Sequence, residues 1–195
     1  MTSPDVTWDT AGLTVEERWA ATGHAGATVW LTGLPASGKS TLAAAVEARL
    51  IAAGRPALRL DGDNLRHGLN GDLGFSPADR AENVRRTAHV AALLAEAGVV
   101  AIVALVSPVL ADREAARLVH ERAGLPFHEI YVNTSLAECE RRDPKGLYAR
   151  ARAGELTGLT GLDAPYEPPA TPDLRVEPAL ALDEAVDRVI AILPG

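Results

Sequence analysis

Residues 33–41 read Gly-Leu-Pro-Ala-Ser-Gly-Lys-Ser-Thr, a glycine, four residues and then Gly-Lys-Ser, which is the spacing of a phosphate-binding loop. Consecutive backbone N–H groups can wrap a phosphate only where the chain curves tightly. Gly33 and Gly38 permit that curvature, and the positive end of the following helix then points at the anion. Lys39 adds a point charge for β- and γ-phosphates, and the Ser40 hydroxyl suits a Mg²⁺ ion. The flanks decide the context. Residues 27–32 (ATVWLT) read as a strand, and Thr41 to Ala53 is rich in Ala and Leu with no Pro or Gly, so it reads as a helix. Strand, loop and helix in that order favour a nucleotide-binding α/β fold over a chance glycine-rich turn.

Working outward, a second strand over Ala57 to Leu60 ends at Asp61-Gly62-Asp63-Asn64. Ser76-Pro77-Ala78-Asp79 opens a helix, with an N-cap serine and proline at the first helical position, that runs to about Ala97 and stops at Gly98. The apolar run Val99 to Val106 has the look of a central strand covered on both faces, and it ends at Ser107-Pro108. A helix over Ala111 to Ala123, a strand over Phe127 to Val132 and a short helix opened by Ser135 and Glu138 continue the alternation. Alternating β and α predicts a parallel sheet between helical layers. Residues 141–162 are basic and glycine-bearing, too polar for a core and suited to a lid. A Pro-rich link, a last strand over Leu174 to Val176 and an amphipathic helix over Leu182 to Leu193 close the chain. Ahead of the sheet, Thr14 and Glu17 form a capping-box pair, and Trp8 and Trp19 are expected to pack this lead-in onto the body.

Length and composition narrow the class. A chain of 195 residues with 47% hydrophobic and 23% charged residues fits one ordinary globular domain. A net charge of −7 disfavours nucleic-acid binding through a broad basic face, and leaves room for a small anionic substrate held by local basic clusters. Cys139, the single cysteine, allows no intrachain disulfide and reads as a small core hydrophobe in a reducing cytoplasm. The N-terminal MTSPDVTWDT lacks a signal-peptide pattern, and no apolar run reaches about 18 residues, so a cytoplasmic chain without a membrane contact is expected.

In open parallel sheets ligands lie beyond the carboxyl ends of the strands. The phosphate loop, Asp61 to Arg66 and Ser107-Pro108 fall there. Asp61 and Asp63, two residues apart on an extended segment, can both face a transferring phosphate, and one carboxylate could orient or deprotonate a hydroxyl acceptor. Asp-Gly-Asp-Asn alone is equally compatible with a solvated turn. Arg66, Arg80, Arg85 and Arg86 follow closely, with Asn83 among them. Helical spacing puts Arg80, Asn83 and Arg86 or Arg85 on one face, where a guanidinium pair could grip an anion or simply meet solvent. His67 and His89 read as packing or surface residues.

At this point the residues resemble the adenylylsulfate kinase (APS kinase) family. The likeness runs in order from Thr28 to about Pro169, through GLPASGKST (33–41), LDGDNLRHGLN (60–70), LGFSPADRAENVRR (73–86), Ser107-Pro108 and RDPKGLYARARAGELTGLTGLDAPYEPP (142–169). It implies a three-layer α/β/α P-loop kinase fold with a central parallel sheet and a basic lid. Residues 1–26 would form an N-terminal arm with one short helix, and 27–195 the kinase domain with its lid at about 141–162. The implied reaction is ATP-dependent phosphorylation of the ribose 3′-hydroxyl of adenosine 5′-phosphosulfate (APS), giving PAPS and ADP.

The resemblance also implies roles. ATP would be held by Gly33, Ala36, Ser37, Gly38, Lys39, Ser40 and Thr41, with Ser40 on Mg²⁺. APS would be held by Asp63, Asn64, Arg66, Phe75, Arg80, Asn83, Val106, Ser107, Lys145, Gly158 and Leu159. Lys39, Asp61, Ser107 and Lys145 would act in catalysis. A homodimer and an association with ATP sulfurylase are implied as well. Ser107 matches a family position tied to a phosphoserine intermediate, yet nothing in the sequence activates that hydroxyl and direct in-line transfer suffices. The chain departs from the family pattern at Pro35-Ala36, Val109-Leu110-Ala111, Thr157 and Leu159. With Leu159 in place of an aromatic, adenine stacking would fall to Phe75 alone, which predicts weaker APS binding or weaker substrate inhibition. Two other readings stay open: a related P-loop kinase for another small-molecule hydroxyl, and a non-catalytic nucleotide-binding subunit.

Overall fold

A computed structural model describes residues 12–194. Trp8 lies outside the described residues. Five strands, β1 (Ala27–Thr32), β2 (Ala57–Asp61), β3 (Val100–Ala104), β4 (Phe127–Val132) and β5 (Leu174–Val176), form one sheet in the order β2-β3-β1-β4-β5. Every strand pair is parallel. The helices are α1 (Val15–Thr22), α2 (Lys39–Ala52), α3 (Gly62–Leu65), α4 (Pro77–Glu96), α5 (Leu110–Arg122), α6 (Leu136–Arg142), α7 (Leu147–Arg152) and α8 (Leu182–Ala191).

β1 is buried along its whole length, as a strand with both faces covered must be. Its side chains alternate between two cores. Val29 and Leu31 join Leu42, Val46 and Leu50 of α2, Ile102 of β3 and Val186 and Val189 of α8. Trp30 points the other way, with Val84, Ala88 and Ala91 of α4, Val103 of β3 and Phe127 of β4. Burying each Val, Leu or Ile side chain stabilises by roughly 1.5–3 kcal/mol. The sheet order turns back on itself around β1, so the loops after β1, β2 and β3 meet at one carboxyl edge.

The caps follow the sequence. Thr14 and Glu17 make the reciprocal capping box on α1, Ser76 accepts from the Asp79 N–H at the start of α4, and Ser135 accepts from the Glu138 N–H at α6. Trp19 donates its indole N–H to the Ala95 carbonyl (3.0 Å), which seats α1 on the end of α4.

Two expectations are corrected. The run 99–106 yields a strand of only Val100–Ala104, because Leu105 still bonds the Leu31 carbonyl but Val106 and Ser107 turn away into the site. The segment 141–162 is not simply too polar for a core. It contains α7, and its Tyr148 and Leu159 bury themselves with Cys139 in a satellite cluster beside Leu34 and Ala36 of the phosphate loop. Tyr148 also donates to the Pro35 carbonyl (3.0 Å).

Candidate active site

The phosphate loop begins where β1 ends. A Cβ at Gly33 would stand 2.6 Å from the Val132 carbonyl oxygen, so only glycine lets the loop leave the sheet beside β4. Gly38 caps α2 in the left-handed region at φ 107°. Ala36 takes φ 59° without being glycine, a conformation that costs of order 1–2 kcal/mol.

Lys39 is buried, and its ammonium donates to the carbonyls of Gly33 (2.9 Å) and Leu34 (2.8 Å) and to Ser37 Oγ (3.3 Å). Burial brings its pKa from 10.5 down to about 8, against the opposing pull of Cys139, Asp61 and Asp63. Between those two values the unfolded chain binds more protons than the folded one, so this group's contribution to stability rises with pH across that window. Phosphates arriving on the loop favour the ammonium form, so above about pH 8 nucleotide binding takes up a proton. The Kd of a non-hydrolysable nucleoside triphosphate is therefore expected to rise by up to about tenfold per unit as pH climbs above 8. Calorimetric titrations at pH 7 and 9 check this, and a Kd flat across that range contradicts it.

Beside the lysine, Ser40 donates its hydroxyl to Asp61 Oδ2 (2.7 Å). Asp61 is 8% exposed at the end of β2, and its other oxygen caps α3 by accepting from the Asp63 N–H (3.0 Å). Arg59 lies 3.8 Å from the same carboxylate. Asp63 is exposed and pairs with Lys145, which reaches over from the turn between α6 and α7. Asn64 is exposed beside it. Thus the phosphate loop, Asp61, Asp63 and Lys145 come together at the carboxyl edge.

A second group forms at the start of α4. Phe75 is 68% exposed, with the Arg66 guanidinium 4.2 Å from its ring centroid and that of Arg80 at 5.9 Å. Arg66 is fixed by the carbonyls of Leu73 and Gly74. Arg80 donates to the Phe75 carbonyl, to Gly158 O (2.6 Å) and to Thr160 Oγ1 (2.6 Å), so it ties the lid to α4. Burial lowers the pKa of both arginines from the usual guanidinium value. Asn83 is buried and accepts from Asn70 Nδ2 (2.9 Å).

Not every predicted group converges. Arg86 forks onto Asp72 (2.7 and 2.9 Å) and bonds Glu82, which also binds Arg85. Those two arginines serve surface ion pairs, and they push the Glu82 carboxyl down to about 2. Leu159 is 7% exposed inside the lid cluster rather than open to Phe75. His67 and His89 are exposed.

After β3, Ser107 takes φ 39°, a strained conformation costing of order 1–3 kcal/mol. Its hydroxyl accepts from the Trp30 indole N–H (3.1 Å) and its carbonyl from Arg113 (2.7 Å). Thr32 holds the neighbouring Val106 carbonyl (2.8 Å).

Sequence reading missed a cleft of about 200 Å³ between the phosphate loop and the segment after β5, lined by Ser37, Thr41, Arg142, Val176, Pro178 and Leu180. Arg142 donates to the Ser37 carbonyl (3.3 Å) there. No local spacing links residues 142 and 178; the pairing of β4 with β5 brings them together.

Among the described residues there is no cluster of three or more acidic, His or Cys side chains able to bind a metal alone, and no helix long and apolar enough to cross a membrane. The Ser40–Asp61 oxygen pair suits Mg²⁺, which takes one or two protein oxygens and fills its octahedron with phosphates and water.

The adenylylsulphate kinase family model matches residues 25–177. An adenylyl-sulfate kinase from Staphylococcus carnosus is 45% identical over 192 residues, covering 98% of this chain and 96% of that protein. A bifunctional enzyme CysN/CysC from Mycobacterium tuberculosis is 56% identical over 168 residues, 86% of this chain, and the chain spans 27% of that longer protein. The structure of the Mycobacterium tuberculosis APS kinase CysC in complex with AMPPNP and APS superimposes with a TM-score of 0.84 at 56% identity, covering 86% of this chain and 97% of that one. A gluconokinase from Sinorhizobium meliloti, at 17% identity and a TM-score of 0.54, shares the fold alone.

Proposed function

Because this chain belongs to the adenylylsulphate kinase family, we propose that it transfers the γ-phosphoryl group of ATP to the 3′-hydroxyl of APS, giving PAPS and ADP. The observation that carries this is the convergence at one carboxyl edge of a phosphate loop, a buried carboxylate bonded to the loop serine, and an exposed Phe75 ring flanked by two arginines. The first two parts suit a nucleoside triphosphate, and the third suits an anionic nucleotide with a base to stack.

In this reading the triphosphate lies along Gly33 and Ala36 to Thr41, with its base toward the cleft beside Arg142 and Pro178. Lys39 leaves the Gly33 and Leu34 carbonyls to neutralise the β- and γ-oxygens. Ser40, with Asp61 beside it, would hold Mg²⁺, and the ion would supply charge shielding for the phosphoryl group in transfer. The APS base stacks on Phe75, where an aromatic partner is worth about 1–3 kcal/mol. Arg66, Arg80 and Asn83 contact its polar groups, Asp63 and Asn64 face its ribose, and Val106 and Ser107 border it. Asp61 orients or deprotonates the 3′-hydroxyl. Lys145 leaves Asp63 to meet transition-state charge. Gly158 and Leu159 bring the lid over the base, Leu159 through the packing of the lid.

No phosphoserine step is needed. The Ser107 hydroxyl faces a Trp30 N–H, which can donate but not accept a proton. Ser107→Ala is expected to keep kcat within about twofold, while orphaning that buried indole N–H costs about 1–3 kcal/mol of stability. Loss of turnover without loss of stability would reverse this reading.

The acceptor is tested by following ADP release with Mg-ATP and a panel of small hydroxyl compounds that includes APS. Turnover with APS alone supports the assignment, and turnover with another acceptor but not APS overturns it. A homodimer, association with an ATP sulfurylase and residence in the cytoplasm belong to the same proposal. Light scattering and co-purification test the first two.

A further inference from the structure

Arg113 of α5 is 1% exposed and takes no part in the chemistry above. Each of its three nitrogens nevertheless donates to a separate segment. Nε donates to Glu129 Oε1 of β4 (2.6 Å), Nη1 to the Ser107 carbonyl after β3 (2.7 Å) and Nη2 to the Glu167 carbonyl in the link beyond the lid (2.7 Å). Glu129 is itself buried. A buried ion pair is weak evidence for stability, since desolvation opposes its attraction, so a role in fixing one arrangement is the better reason to look for.

That arrangement is visible around it. Glu167 donates its N–H to the Pro108 carbonyl (2.8 Å), and its carboxylate accepts from the Leu110 N–H (2.6 Å) at the start of α5, where Val109 offers no cap. Tyr166, one residue earlier, meets Thr32 Oγ1 (3.0 Å), which also holds the Val106 carbonyl. The returning arm of the lid and the turn Val106-Ser107 are thus pinned to one buried guanidinium.

We propose that Arg113, braced by Glu129, is a positioning residue for the acceptor. It holds Ser107 in its left-handed conformation and anchors the link that follows the lid to the Val106-Ser107 turn, so that acceptor binding and lid placement share one support. The donor loop, which makes none of these contacts, is not addressed by it. The inference rests on the APS reading for its kinetic form.

The test compares full-length wild type, Arg113→Lys and Glu167→Ala. Lysine keeps the charge for Glu129 but cannot span three acceptors as the planar fork does. For folded Arg113→Lys the APS KM or kcat/KM is expected to worsen by about ten- to a hundredfold, the effect of misplacing a reacting group by about 1 Å. The Kd of AMPPNP stays within twofold. Hydrogen exchange accelerates at the amides of Val106, Ser107, Tyr166 and Glu167 but not in α2. Glu167→Ala, a surface change, moves the same quantities in the same direction by less. Wild-type APS kinetics in folded Arg113→Lys, or equal losses for APS and AMPPNP, overturns the proposal. If Arg113→Lys does not fold, Glu167→Ala decides in the same terms. If wild type fails to phosphorylate APS, the functional reading falls, and the exchange pattern alone still decides whether Arg113 pins the two segments.

Discussion

Asp61→Asn lowers kcat by about 10²–10⁴-fold, the range of a lost general base, with the APS KM little changed. Asparagine is nearly isosteric and is itself a good N-cap, so α3 should still start at residue 62. What it removes is the charge, and with it the proton acceptor. The structure adds a second consequence, because Asp61 shares a 2.7 Å hydrogen bond with Ser40. The variant should also need more Mg²⁺ for half-maximal rate, since one oxygen of the pair that suits the ion has become an amide. Steady-state rates against Mg²⁺ and APS, with circular dichroism to establish folding, check both parts. Near-normal turnover in a folded variant removes Asp61 from the mechanism, and a raised Mg²⁺ requirement with restored kcat at saturation would confine it to the metal.

Lys39→Met is expected to cost about 10²–10³-fold in kcat, the effect of losing one preorganised group facing developing charge. Methionine keeps most of the length and apolar volume of the stem, so the loop should retain its path between β1 and α2. The ammonium is desolvated and satisfied by loop carbonyls, so it is held at the loop before any nucleotide arrives. Removing it should also abolish the alkaline rise of the nucleotide Kd, since the titrating group has gone. Rapid-quench rates and the pH dependence of AMPPNP binding read these two effects separately. A variant that loses catalysis but keeps the alkaline rise would assign that titration to another group.

Much of this was legible in the chain because the decisive signals are local. The phosphate loop, the Ser76-Pro77 helix start and the strand at residues 127–132 each rest on chemistry within a few residues, and each lies where the pattern puts it. Asp61 was placed by strand logic alone, at the carboxyl end of β2. The parts that were not legible depend on contacts between distant segments. Nothing in the local pattern of the helix at 111–123 singles out Arg113, and only the pairing of β1 with β4 and the path of the post-lid link make it a buried centre. Tyr148 and Leu159 read as lid residues in a polar stretch, yet with Cys139 they give the lid a core of its own. Arg142 and Pro178 meet only through the β4–β5 pairing. Arg86 misled in the opposite direction, since helical spacing put it on the face of Arg80 while Asp72, supplied by the preceding loop, claimed its fork.

The central claim is that one active centre couples this donor loop to the 3′-hydroxyl of APS. The most direct measurement incubates the purified chain with Mg-ATP and either APS or its 3′-deoxy analogue, and resolves the nucleotides by mass spectrometry. The account predicts ADP and PAPS in equal amounts from APS and no phosphorylated product from the 3′-deoxy compound. ADP without PAPS, or phosphorylation of the 3′-deoxy analogue, would contradict it.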